Sequence, residues 1–186
     1  MNKLDESLLV SLPLFAKLDR AQIRDILDLA TPHRFDAGDT VFEEGEPAGR
    51  FYLLLDGYIR VVRLTPAGEQ MIVLHIPSGH MFGIAKALGY TTYPATSVTA
   101  AECLCLGWPM KRLSEFLEAY EGFSESVYGT VGTRVADMNS RTLALATQQV
   151  EQRVANTLLR LVNQAGRKTD GGVEIDFPIT RQDISE

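Results

Sequence analysis

The chain has 186 residues, of which 45% are hydrophobic and 23% charged, with a formal net charge of −6. That balance suits a globular protein with one good core, or one domain and part of a second, and it argues against a nucleic-acid surface dominating these residues. No apolar run approaches the ~18 residues of a membrane span, and MNKLDESLLVSLPLF lacks the extended apolar stretch of a signal peptide, so the chain reads as cytoplasmic.

The spacing predicts a short helix over Asp5–Ser11, followed by the apolar plug Leu12 to Phe15. Asp19 caps a second helix with Gln22 as its reciprocal partner, and Ile23, Ile26, Leu27 and Ala30 follow at helical spacing. Thr31-Pro32 ends it. From His33 to Pro109 the pattern changes to short runs of Val, Phe, Tyr, Leu and Ile between Gly38, Gly45, Gly49 and Gly57, which predicts an antiparallel roll or barrel. Tyr58–Leu64 and Glu69–Ile76, joined by TPAG, form a hairpin. Thr96–Ala100 and Glu102–Gly107 are two more strands. Cys103 and Cys105 share one face of the last of them, with alpha carbons ~7 Å apart, at or beyond disulfide reach. They read as buried free thiols, and two cysteines cannot supply a four-cysteine iron–sulfur site.

Met110–Ala119 is a short amphipathic helix. A long helix over Glu121–Ala146 follows, in which Val127, Val131, Val135, Met138, Thr142 and Leu145 recur close to the heptad rhythm of a dimer seam. Gly129 and Gly132 weaken this helix by about 1 kcal/mol each, so it needs tertiary support. After a soft point at Thr147-Gln148, a helix over Gln149–Gln164 carries Val150, Val154, Leu158, Leu161 and Val162 as a buried stripe. AGRKTDGG reads as a polar loop and VEIDF as one strand. Thr180 then caps another helix, with Asp183 in its first turn. The chain ends inside that helix, as expected of a piece of a longer protein.

Phe35-Asp36-Ala37-Gly38, Val41-Phe42, Gly45-Glu46, Phe51-Tyr52-Leu53-Leu54 and Gly57-Tyr58-Ile59 together resemble the first half of the cyclic-nucleotide-binding roll of the bacterial Crp/Fnr superfamily. Ile179-Thr180-Arg181-Gln182-Asp183-Ile184 resembles the opening of that family's helix-turn-helix domain. The resemblance implies a mixed α and β protein. A jelly-roll-like antiparallel sensor domain would cover residues 1–120, a dimerisation helix 121–147, and the start of a winged helix-turn-helix domain 148–186. It implies a homodimeric, non-enzymatic transcription regulator whose partners are DNA and RNA polymerase, with no membrane. Thr180 and Arg181 are the residues placed to touch the DNA backbone. The second helix of the helix-turn-helix, which enters the major groove, lies beyond the chain.

The ligand cassette departs from the family. Cyclic-nucleotide binders carry a Gly-Glu pair and, about ten residues on, an Arg followed by Ser or Thr; the glutamate takes the ribose hydroxyl and the arginine the cyclic phosphate. Here Gly83 is followed by Ile84 and Ala85, and Pro94-Ala95 stands at the arginine position, before Thr96. Lys86 is the nearby cation. A missing charge-assisted contact is worth about 1.5–3 kcal/mol, so tight cyclic AMP binding is not expected. The apolar cassette resembles the nitric-oxide-responsive branch, which implies haem. His33, His75 and His80 are the candidate axial ligands, with Met81 and the two cysteines behind them. No spacing singles one out. Two rivals are weaker. A cupin-type enzyme needs histidines two apart on the early strands, where Phe51-Tyr52-Leu53 stands. A cyclic-nucleotide module serving some other partner has no use for a helix-turn-helix opening.

Overall fold

The computed structural model describes residues 6–66, 68–175 and 177–184. Asp5 lies outside them, and the expected opening helix is a single 3-10 turn at Glu6–Leu8. Leu9, Leu14 and Phe15 enter the core from the turns that follow. The first α-helix, α1 (Arg20–Asp28), starts as its sequence dictates. The Asp19 carboxylate accepts from the Gln22 amide at 2.9 Å, and the Gln22 side chain accepts from the Asp19 amide at 3.1 Å. At its far end the Ile26 carbonyl accepts from the indole Nε1 of the buried Trp108 at 2.8 Å, which satisfies one of the groups a helix end leaves open.

Two four-stranded antiparallel sheets make the roll that the glycine spacing predicts. One has the order β1 (Thr31–Phe35), β8 (Cys103–Pro109), β3 (Arg50–Asp56), β6 (Met81–Phe82). The other has the order β2 (Thr40–Phe42), β7 (Thr96–Thr99), β4 (Tyr58–Leu64), β5 (Gln70–Pro77). Pro32 falls inside β1, which is tolerated because β1 is an edge strand. Phe51 to Leu54 are all buried, so β3 is covered on both faces. Phe51 stacks on Trp108 at 5.3 Å and meets Phe116 edge-on at 6.3 Å, while Tyr52 stacks on Phe82 at 5.1 Å. Cys103 and Cys105 are buried free thiols; burial pushes both up, Cys105 to about 12, which keeps them protonated and unreactive.

Gly57 makes the β3–β4 turn at φ +97°, and a Cβ there would lie 2.4 Å from the Glu102 carbonyl oxygen and 2.6 Å from Cys103 Sγ. Gly68, at φ +82°, has nothing within 4 Å of the same atom. Gly57→Ala should therefore cost about 3 kcal/mol and Gly68→Ala only about 1 kcal/mol, read as shifts in the urea unfolding midpoint.

α2 (Met110–Ala119) buries Met110, Leu113 and Phe116. α3 (Glu121–Thr147) then anchors in the same core through Phe123 and Val127. Val127 is thus not a seam residue: it is fully buried inside its own roll. Beyond Val131, which packs partly on that core, α3 runs beside β5, the edge strand of the second sheet. Gln148 breaks the helix in extended conformation, and a Gln149–Gln152 capping box starts α4 (Val150–Ala165). The expected buried stripe of α4 is not formed. Leu161 alone of its members is buried, while Val150 and Leu158 are exposed, because α4 meets the sheet only near its end. The expected VEIDF strand is β10 (Gly172–Ile175), and the segment read as a polar loop before it supplies its hairpin partner, β9 (Gly166–Thr169). The chain closes on α5 (Arg181–Ile184).

Candidate functional site

The seven cassette residues do not line one wall. Ile84, Ala85 and Ala95 are buried; Lys86 and Pro94 are exposed; Thr96 accepts from the Glu44 amide at 3.0 Å and so ties β7 to the end of β2. Gly83, at φ +69°, sits against the Phe42 ring, 3.1 Å from where a Cβ would be. Beside Pro94, the Tyr93 ring stacks on Phe42 at 3.8 Å and its hydroxyl donates to the Arg50 carbonyl at 2.7 Å. Aromatic rings fill this end of the roll.

The three histidines are scattered. His33 stacks on Phe35 at 6.0 Å and faces Tyr52 edge-on, with burial and the Arg50 charge lowering its pKa. His75 is buried and gives Nε2 to Asp183 at 3.0 Å, so that nitrogen is already engaged. His80 lines a cavity beside α3. Among the described residues no group of three or more His, Cys, Asp or Glu side chains gathers in a metal-binding cluster.

The polar machinery lies along β5, where the cassette did not point. Arg141 of α3 donates to the Val73 carbonyl at 2.8 Å and to that of Ile72 at 3.4 Å. Arg134, two turns earlier on the same face, donates to the Met81 carbonyl. Burial lowers each of these guanidinium groups to about 10, which leaves both charged at neutral pH. A cavity of ≈ 440 Å³ lies between α3 and the roll near Arg134, Thr130, Thr133, His80, Leu74 and Ile76. A second, of ≈ 730 Å³, lies between the β4–β5 hairpin and the ends of α3 and α4, with Arg141, Arg153 and Arg160 on its walls. The seven-residue step from Arg134 to Arg141 was legible as one helix face.

On the outer face of the second sheet, Arg60 and His75 are paired across β4 and β5. Together they grip Asp183, which is fully buried. Arg60 Nε donates to Oδ1 at 2.7 Å and its other guanidinium arm to Oδ2 at 2.8 Å; the Thr180 amide and hydroxyl each donate to Oδ2 at 2.7 Å. Burial alone would raise the carboxyl, but Arg60, Thr180 and His75 outweigh it and hold it well below the usual range. Phe177 stacks on Tyr58 at 3.9 Å, and Arg60 also donates to the Pro178 carbonyl at 2.8 Å. The first turn of α5 is therefore fastened to the sheet. Thr180 is turned into this cluster, while Arg181 is exposed.

On α3 the face beside Arg134 and Arg141 exposes Val135, Met138, Thr142 and Leu145, and Tyr128 falls one step before Val131 in the same rhythm. Tyr128, Val131, Val135, Met138, Thr142 and Leu145 are spaced three and four alternately, a regular heptad stripe.

Residues 32–120 match the family model of the cyclic nucleotide-binding domain. Over 181 residues the chain is 23% identical to the CRP-like cAMP-activated global transcriptional regulator of Mycobacterium tuberculosis, covering 97% of this chain and 81% of that one. It is 27% identical over 187 residues to the global nitrogen regulator of Synechocystis sp., covering 98% and 81%. The structure of FixK2 from Bradyrhizobium japonicum shares the fold, with a TM-score of 0.72 at 18% identity over 83% of this chain and 75% of that one. Among the described residues no helix is long and apolar enough to cross a membrane. These relatives are transcription regulators, and the chain is similar to them along nearly its whole length, with a segment that matches the cyclic nucleotide-binding domain.

Proposed function

We propose that this chain is the sensor, the dimer helix and the opening of the DNA-binding head of an effector-responsive transcription regulator. The observation that carries the reading is the double use of α3. One face bonds to the roll through Arg134 and Arg141, and the adjacent face exposes a heptad stripe. A ligand held between roll and α3 acts on the same helix that a second copy would pack against. Such a ligand shifts the helix only if it binds one arrangement more tightly than the other. In this reading residues 1–120 sense, 121–147 join two subunits, and 148–186 begin the head, with Arg181 facing DNA phosphate and RNA polymerase as the downstream partner. Sedimentation of the purified chain should show a dimer; a monomer at tens of micromolar would overturn the reading.

The effector is not cyclic AMP held in the usual way, since Ile84 and Pro94 offer neither the ribose acceptor nor the phosphate donor. Calorimetric titration should find no micromolar affinity, and finding it would refute this. His75 and His80 both line the cavity beside α3, and His75 already holds Asp183 through Nε2, so the haem-dependent, nitric-oxide-responsive variant of the reading rests on His80.

A further inference from the structure

β4 and β5 serve two different neighbours with their two faces. Ile59 and Ile76 are paired across the strands and lie in the roll core, and the next inward pair, Val61 and Leu74, packs partly against it. One residue out of step, Tyr58 belongs to a separate cluster with Ala100, Leu161 of α4 and Phe177. Arg60 and His75, also paired, hold Asp183. Successive side chains of a strand point to opposite faces, so the roll core and the head share one pair of strands.

The grip on the head is tight. Asp183 Oδ1 lies 2.7 Å from Arg60 Nε and 3.0 Å from His75 Nε2, and Oδ2 lies 2.8 Å from the other guanidinium arm. Such bonds weaken once donor and acceptor part beyond ~3.2 Å, and a buried carboxylate is stabilised only while its partners stay in place. The strands that carry the partners are able to shift. β5 is an edge strand, and its register with β4 breaks between Val61 and Val62, one residue beyond Arg60. An irregularity of this kind is where a strand pair bends. The ≈ 440 Å³ cavity reaches the same place: Leu74, His75 and Ile76 line it, together with Arg134 and Asp137 of α3 and Asn163 of α4.

We propose that β4 and β5 form a lever inside one subunit, in which the packing of Val61 and Leu74 on the roll core sets the positions of Arg60 and His75 and so decides whether the head stays docked on the sheet. The inference rests on the regulator reading for what the head does. It adds a route to the head that does not cross the dimer seam. From Leu74 to the Asp183 grip is one residue along β5, whereas a signal along α3 has to pass the break at Gln148.

The test is hydrogen exchange on the whole chain, with Leu74→Ala and Arg60→Met made singly and together. Leu74→Ala should speed exchange of residues 177–184 at least about tenfold beyond any change in β3 and β8. Arg60→Met should release the head by itself. Adding Leu74→Ala to it should then change exchange of residues 177–184 less than about twofold, because the grip through which Leu74 acts is gone. Val131 packs partly on the same core from α3, and Val131→Ala should leave the head within about twofold of the parent chain. No excess rise with Leu74→Ala, the same tenfold rise in the Arg60→Met background, or an equal rise with Val131→Ala would overturn the proposal. If Leu74→Ala unfolds the roll, Leu74→Val takes its place, with a rise of about threefold expected and no rise fatal. Sedimentation of the same variants separates the two readings. A dimer without the coupling removes the lever alone, and a monomer that keeps the coupling removes the seam and leaves the lever.

Discussion

Asp183→Asn should release α5 and the β9–β10 hairpin from the sheet while the roll stays folded. Asp183 is fully buried and receives two bonds from Arg60, two from Thr180 and one from His75. An amide keeps the shape but removes the charge, and its NH2 group meets donors. Breaking a buried ion pair by neutralising one partner costs about 3–5 kcal/mol. A four-residue helix cannot stand without its docking contacts, so that loss undocks it. Hydrogen exchange reads the result: residues 172–184 should exchange at least about a hundredfold faster, and β3 and β8 should not change. Unchanged exchange in 172–184 would sink the assignment, as would loss of protection throughout the roll.

The same cluster sets a pH dependence whose sign is fixed by both partners. Asp183 has a depressed pKa when docked, so its contribution is present above the ordinary value of 3.8 and is lost as pH falls through the docked one. His75 is lowered first by burial, with Arg160 and Arg60 adding to this and Asp183 opposing it. Undocked, it takes up a proton near 6.5; docked, it resists. Protons therefore favour release on both counts. Tyr58, also packed here, has its phenol pushed up and stays neutral throughout. Exchange of residues 172–184, corrected for intrinsic rates, should rise between pH 7 and pH 5, and His75→Gln should flatten that rise.

Val135→Glu with Met138→Glu should leave a folded monomer. Val135 is 51% exposed and Met138 57% exposed in the single subunit, so carboxylates there meet water and cost the fold little. In a dimer the same side chains face their copies across the seam, and four acids would be buried without partners. A penalty of about 4 kcal/mol weakens association about a thousandfold, and sedimentation velocity would show it. Val127→Glu gives the contrast. Val127 is fully buried, so a carboxylate there should unfold the roll. If the double variant still sediments as a dimer, the seam lies elsewhere, with exposed Leu143, Leu158 and Leu159 next in line.

The elements that announced themselves in sequence are those held by local chemistry. The Asp19–Gln22 box and the Thr65–Glu69 turn each close on bonds spanning three or four residues. The β9–β10 hairpin turns on a local signal too, Asp170-Gly171 between the paired Thr169 and Gly172, and VEIDF reads as a strand, but β9 reads as loop. Composition hid it: polar side chains do not reveal backbone pairing. Val127 was misassigned because heptad spacing cannot tell the face that meets a partner from the face one step round that meets the roll. The Asp183 cluster was out of reach for another reason. His75 and Asp183 lie 108 residues apart, and each alone reads as an ordinary surface or cap residue.

β5 ends its sheet, and a free strand edge is a template on which another chain can add itself. Arg141 covers part of that edge by holding the carbonyls of Ile72 and Val73. A helix that swung away from the roll would bare those carbonyls to every passing strand. One that glides along β5 keeps them occupied. Protection against fibril-like stacking thus favours shear over hinge opening as the movement of α3.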